Sequence, residues 1–215
     1  MTEVAEPSTE WLPRLHEIGQ FVHRTVLELQ DGYLHDRSYA VAALAVLRRA
    51  SGQPPGAAPE AWEHTLQGLP SSGWEADEPS RNEVAAHTAI TLYAFHQQSR
   101  RVPVHVRGRG LGQAARRLID LGASEEAVTR RFHAVGLAST VDTRTYHLRA
   151  FITQLRGGGG RVPIALDYGL LADQLVRLQN PKVADRVRLA WGREFVRSDR
   201  SQQSTSLIDE TENDL

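Results

Sequence analysis

The 215-residue chain is 40% apolar and 24% charged, with a formal net charge of −1, an ordinary balance for a globular protein with a sizeable core. It has no cysteine, which excludes disulfides, a thiolate nucleophile and a thiolate metal site. No apolar run reaches membrane-spanning length and the acidic start MTEVAEPSTE lacks a signal-peptide core, so a soluble, cytoplasmic protein is expected.

In chain order, residues 1 to 8 read as frayed. Thr9 is placed to cap a helix with Trp11, Leu15, Ile18, Val22, Val26 and Leu29 on one face, ending at Asp31-Gly32. Asp36 is expected to cap a second helix carrying Tyr39, Ala43, Val46 and Leu47, stopped at Gly52 before the turn-rich Gln53 to Gly56. A short helix around Glu60 to Leu66 and a loop containing Trp74 follow. Ser80 and Glu83 then form a capping-box pattern at the head of a helix to Ser99. Its residues Val84, Ala85, Ala89, Ile90, Leu92, Tyr93, Ala94 and Phe95 leave almost no polar face, so it is expected at the centre of the core.

The connector Arg101 to Gly110 alternates Val102, Val104 and Val106 before Gly108, Gly110 and Gly112. It imitates a dinucleotide-binding turn, but position 113 is Gln and Pro103 interrupts the run, so an exposed, mobile, basic loop is the expectation. Further helices carry Leu111, Ala115, Leu118 and Ile119, then Val128, Phe132 and Val135, then Leu148, Phe151, Ile152 and Leu155, then Leu171, Leu175 and Leu178. Gly122 ends the first of these, while Ser124, Asp142 and Asp167 are read as caps of the next three, with a break at Gly157 to Gly160. Pro181 opens a last helix with Val183, Val187, Ala190, Trp191 and Phe195 inward. The fold class expected is all-α, two linked helical bundles: residues 1–109 with the basic connector, residues 110–197, and a disordered acidic tail at 198–215.

Charge is distributed unevenly. Residues 1–99 hold 6 Arg against 13 acids, residues 100–161 hold 12 Arg against 4, and residues 162–215 hold 7 basic groups against 9 acids. All basic residues but Lys182 are Arg, whose fork suits phosphate. The spacing of the nine His shows no metal site, Lys182 is followed by Val rather than the Ser/Thr of a P-loop, and no G-x-S-x-G elbow occurs, so no catalytic site or cofactor is expected. The arginine pairs 48/49, 100/101, 116/117 and 130/131 are the positive signal. Arg48 and Arg49 also suit a helix C-terminus, and Arg186, Arg193 and Arg197 suit a solvated face. For residues 100–161 a phosphate-binding face is the better reading, against a face matching an acidic protein, for which the acidic N-terminal half is itself a candidate.

Several stretches together carry a family resemblance: AVLRRASGQPPG (45–56), LYAFHQQSRR (92–101) leading to GLGQAARRL, and the series HLRAFITQLR, IALDYGLLADQLVRLQNP and VRLAWGREF. In this order and spacing the chain resembles CasB, the small subunit of the type I-E CRISPR-associated Cascade complex. The resemblance implies a non-catalytic, all-α subunit that sits as a pair with a second copy of itself. Its partners would be the backbone and large subunits, the guide RNA, the target DNA and the displaced strand of the R-loop. It implies nucleic-acid contact at Arg48 and Arg49, at Arg131 and Arg149, and at Arg107 and Arg109 in the basic loop, extended by Arg81, Arg116, Arg117, Arg130 and Lys182. The rival expectation is a helical assembly scaffold that never meets phosphate. No helix-turn-helix with base-reading residues stands out to favour a transcription regulator.

Overall fold

The structure, a computed structural model, describes residues 12–70, 77–158 and 163–197. The described residues form α1 (Glu17–Leu34), α2 (Ser38–Ala50), α3 (Trp62–Thr65), α4 (Arg81–Gln97), α5 (Leu111–Asp120), α6 (Glu125–Leu137), α7 (Val141–Gly157), α8 (Tyr168–Leu178) and α9 (Pro181–Val196), with two 3-10 turns before α3. The fold is all-α, in two linked bundles. The expected Thr9 cap, the Trp74 loop, Gly159 and Gly160 and the acidic tail lie outside the described residues.

α4 is the axis. Its capping box forms as the sequence predicts: Glu83 N donates to Ser80 Oγ at 3.2 Å and Ser80 N to Glu83 Oε2 at 2.7 Å. From Ala85 to Ala94 every residue is buried, so α1, α2, α3, α7 and α8 can all pack around it. Alanines at 85, 86, 89 and 94 let these neighbours approach closely, while Ile90, Leu92 and Tyr93 fill the gaps between them. Thr91 is tolerated inside because its hydroxyl donates back to His87 O at 2.7 Å. α8, late in the chain, packs mainly on α1 and α4, and α9 packs on α5, so one hydrophobic core runs through both bundles.

Three acidic side chains pin the parts together by accepting from backbone N–H groups that no helix satisfies. Asp173 of α8 accepts from His16 N at 2.7 Å and Gly19 N at 2.8 Å, at the start of α1. Asp167 caps its own helix through Leu170 N at 3.0 Å, accepts from Gly108 N at 2.8 Å and pairs with Arg107. Glu194 accepts from Gly112 N at 3.0 Å at the start of α5. Position 112 needs glycine because a Cβ there would collide with the Trp191 carbonyl of α9.

Four expectations are corrected. α1 runs through Gly32 to Leu34, since Gly32 serves the close approach of Tyr39 and Ala40 rather than a helix stop. Asp36 does not cap α2: it sits at φ 54° and pairs with Arg101 at 2.5 Å, and Arg37 is the N-cap. Thr140, not Asp142, caps α7 by accepting from Thr143 N at 3.1 Å. The connector is not a free loop. Val104 and His105 are buried, the Gln30 amide accepts from Val104 N (3.1 Å) and His105 N (2.8 Å) and donates to His105 O (3.2 Å), and His105 forms a parallel bridge with Leu166. The Val alternation therefore resolves as one residue inward and two outward, paired to a partner some sixty residues away that no local pattern announces.

The same region buries a histidine network. Tyr168 N donates to His105 Nδ1 at 3.1 Å, so the His105 proton sits on Nε2 and is given to His23 Nδ1 at 2.8 Å. His96 Nδ1 lies 2.9 Å from the Tyr168 hydroxyl. Burial lowers His23, His87, His96 and His105 below the ordinary histidine value, His96 to about 3. An unfolded chain takes up these protons below about pH 6.5 while the folded chain refuses them, so this stability is complete above 6.5 and is lost as pH falls toward the folded values. Burial raises Asp173 and Glu194, which acts the opposite way, but nearer the carboxylate range. Thermal unfolding followed by circular dichroism is expected to show the midpoint falling between pH 6.5 and 5.5, and His96→Gln should flatten that slope by up to about 1.4 kcal/mol per pH unit. In the same assay Gly112→Ala should cost about 2–3 kcal/mol by overpacking, whereas Gly192→Ala, with open space and helical backbone, should add about 0.5–1 kcal/mol.

Candidate nucleic-acid interface

At the C-terminal end of α4 the chain leaves the core and α2 and α7 end beside it. Phe95, half-buried on α4, is the floor of this region. Arg149 and Arg156, two turns apart on α7 and therefore on one face, lie over its ring with guanidinium carbons 4.3 Å and 4.7 Å from the centroid. Arg149 also donates to Ser51 O at the end of α2 (2.9 Å), Arg156 to Gln98 O at the end of α4 (3.4 Å), and Arg100 to Arg156 O. Each guanidinium thus satisfies a carbonyl that a helix end or the adjoining turn leaves open. Gln97 fixes the turn by donating to Arg100 O (2.9 Å) and Val102 O (3.0 Å).

Arg48, in the last turn of α2, completes the group. Burial, then Arg100, Arg48 and Arg149 in that order, push the Arg156 guanidinium below its ordinary value, which is the electrostatic signature of four cations crowding one another. The Nε atoms of Arg100 and Arg156 are buried with no partner. Among the described residues no carboxylate forms an ion pair with Arg48, Arg100, Arg149 or Arg156. Two guanidiniums over one ring, with Arg100 bonded to the same helix end and Arg48 close enough to repel them, form a half-buried cationic group that pairs with no carboxylate among the described residues, a site that a phosphate or carboxylate would stabilise.

The other candidate residues are dispersed. Arg49 is exposed beside Arg48. Arg81 is exposed at the first position of α4, where its carbonyl accepts from Gln179 (3.0 Å). Arg107 is committed to structure, pairing with the buried Asp167 and donating to Pro13 O (2.8 Å). Arg109 is exposed and its carbonyl accepts from Asp167 N (2.7 Å). Arg116 pairs with Asp120 (2.9 Å) and Arg130 with Glu126 (3.3 Å), each within its own helix, while Arg117 and Arg131 are exposed on α5 and α6. Lys182 is exposed in the first turn of α9, an end that does not favour a cation. Of the expected set, then, Arg48 and Arg149 come together. Arg156 is not among the residues the sequence singles out, and Arg100 stands there only as a member of the 100/101 pair and the basic run. The seven-residue spacing of Arg149 and Arg156 was the signal available for the pair, but their convergence with Arg48 and Arg100 is tertiary.

The mutual repulsion has a measurable consequence. Arg48→Gln should raise the unfolding midpoint by about 1–2 °C at low ionic strength, from relief of about 0.5 kcal/mol of like-charge repulsion, and the difference should vanish by about 0.5 M salt.

Comparison with known proteins accords with this architecture. The family model for CRISPR-associated protein Cse2 matches residues 43–195. The CRISPR-associated protein Cse2 of Thermus thermophilus is 28% identical over 162 residues, 75% of this chain and 83% of its own. The crystal structure of CasB from Thermobifida fusca matches with a TM-score of 0.71 at 41% identity, covering 85% of this chain and 99% of that one. CasB from Thermus thermophilus matches with a TM-score of 0.60 at 26% identity, covering 82% and 96%. No helix among the described residues is long and apolar enough to cross a membrane. With residues 43–195 matched by one family model and the helical body shared with CasB, the chain belongs to the CRISPR-associated Cse2 (CasB) family.

Proposed function

We propose that the chain is a non-catalytic small subunit of a type I-E CRISPR surveillance complex, Cascade, acting in antiviral defence in the cytoplasm. Its arginine cluster holds nucleic-acid phosphates without reading sequence and thereby stabilises the R-loop, the guide–target heteroduplex and its displaced strand. The observation that carries this reading is the pair Arg149 and Arg156 over Phe95 with Arg100 and Arg48 beside them, and with no carboxylate paired to the group among the described residues.

The physical logic is one of small margins. Exchange of a DNA duplex for a guide–target heteroduplex is nearly balanced, so a few backbone contacts on the opened strands are enough to tip it. Phosphate contacts position and hold but carry no base information, which suits a subunit that must accept every guide. Guanidiniums held by helix-end carbonyls are ordered before the strand arrives, so less side-chain entropy is lost on binding. The remaining partners in this reading are the backbone and large subunits, the guide RNA and a second copy of the chain. Exposed apolar side chains such as Leu137 and Val196, each 77% accessible, suit the protein contacts.

The test is binding of labelled single-stranded DNA, duplex DNA and RNA to the purified chain across a salt series. If the cluster neutralises four phosphates, log affinity for a single strand should fall with log salt at a slope of about −3, with little dependence on sequence. Arg149→Glu with Arg156→Glu should abolish that binding while leaving helicity intact, and Arg130→Glu, whose side chain is already paired, should leave it nearly unchanged. Absence of binding at low salt, together with tight salt-sensitive capture of protein subunits, would replace this reading with that of an assembly scaffold.

A further inference from the structure

A second cationic place lies at the opposite end of α4 from Phe95. A groove of about 970 Å³ opens between the residues leading into α1, the first turn of α4, the later turns of α8 and the first half of α9. Asn82 stands on its wall, about 20 Å of helix away from Phe95. We propose that this groove is a docking site for an acidic amphipathic helix of a protein partner, which seats its apolar side chains on the floor and its carboxylates against Arg14, Arg177 and Arg186.

The floor is aliphatic. Leu15 and Ile18 are buried there, and Val176 and Val183, one on each side of the turn between α8 and α9, are half-buried. Asp173 fixes the shape of the groove, because by accepting from His16 N and Gly19 N it holds the start of α1 against α8. A volume at the upper end of the range for ligand pockets, over aliphatic side chains from three helices and the lead-in to α1, suits a row of side chains from a helix laid in a groove.

Charge complementarity selects the partner. Arg14 precedes α1, Arg177 is in the last turn of α8 and Arg186 lies on α9, so three separate elements bring exposed guanidiniums to one rim. Among the described residues none of the three forms an ion pair. The two acids at the groove are already accommodated: Asp173 by the backbone of α1, and Glu17 by its place in the first turn of that helix, where the dipole favours an anion. Among the described residues no Phe, Tyr or Trp lines the groove to stack a base, so an acidic protein helix matches it better than a nucleic-acid strand.

Contact at the groove is separable from contact at the arginine cluster, because the two share no residue and lie at opposite ends of α4. An exposed ion pair at the rim changes affinity by about threefold, so apolar contact with the floor supplies most of the binding. The arginines choose the partner and its orientation, and a helix with the same apolar stripe but basic flanks is refused.

The experiment titrates the full chain into a labelled synthetic helix of about 18 residues, with Leu along one face and Glu and Ala elsewhere, at about 50 mM salt. Saturable binding is expected, about tenfold weaker for the full-length double variant Arg177→Gln with Arg186→Gln, whose positions are exposed and whose helicity is checked by circular dichroism. Val183→Gln should weaken it several-fold, and Arg149→Glu with Arg156→Glu should leave it unchanged. Replacing the peptide's Glu by Lys, or scattering its Leu around the helix, should abolish binding. No saturation up to about 1 mM, equal binding of the scattered peptide, or weakening by the cluster variant but not by the groove variants would overturn the proposal. Displacement of the peptide by oligothymidylate in the Arg149→Glu, Arg156→Glu variant would assign the groove to nucleic acid and overturn it as well. So would sedimentation showing that the chain alone forms a dimer which the Arg177→Gln, Arg186→Gln variant loses, since a second copy would then be the occupant.

Discussion

A helix with no polar face must be surrounded, and most of the architecture follows from that constraint on α4. Ten consecutive buried residues from Ala85 to Ala94 require neighbours on every side, and α1, α2, α3, α7 and α8 supply them. Burial of this kind is worth about 1.5–3 kcal/mol for each large apolar side chain, so the arrangement of helices around α4 is strongly determined. Its ends are determined with it. When α2 and α7 finish beside the C-terminal end of α4, open carbonyls collect there, and arginines are the side chains that can satisfy them from a distance.

Charge is managed in two contrasting ways. Asp167, Asp173 and Glu194 are carboxylates taken inside or half inside, each held by backbone N–H groups, and they clamp together segments far apart in sequence. Asp167 in addition takes up Arg107, which turns a residue of the basic loop into a structural strut. Among the described residues the cluster beside Phe95 has no such counter-charge. Tolerating self-repulsion at one surface, while acids elsewhere are spent on helix ends, is the arrangement expected where the missing anion comes from a partner.

The fold was largely legible because its signals are local. The Ser80–Glu83 box, the Ser124 and Asp167 caps, Pro181 at a helix start and the 3.6-residue periodicities all act within one or two turns, and all are found in place. The misread points share a cause. Asp36, Gly32 and Asp142 have residue types that favour caps and stops, but Asp36 is drawn to Arg101 far along the chain, Gly32 makes room for Tyr39 and Ala40 of the next helix, and Thr140 is better placed than Asp142. The site was less legible for the same reason. Arg48, Arg100, Arg149 and Arg156 come from the end of α2, the turn after α4 and the body and end of α7, spread over more than a hundred residues, and a count of arginines cannot distinguish them from Arg116 or Arg130, which are paired along their own helices.

In the proposed function this one cluster, and not the basic middle third at large, meets the phosphate backbone. That contact is tested most directly by observing arginine side-chain Nε–Hε resonances of the ¹⁵N-labelled protein as a single strand is added. The resonances of Arg100 and Arg156, whose Nε atoms are buried without partners, are expected to shift together with those of Arg48 and Arg149, saturate, and return when salt is raised. Shifts confined to Arg116, Arg117, Arg130 and Arg131, with the four cluster resonances unmoved, would contradict it.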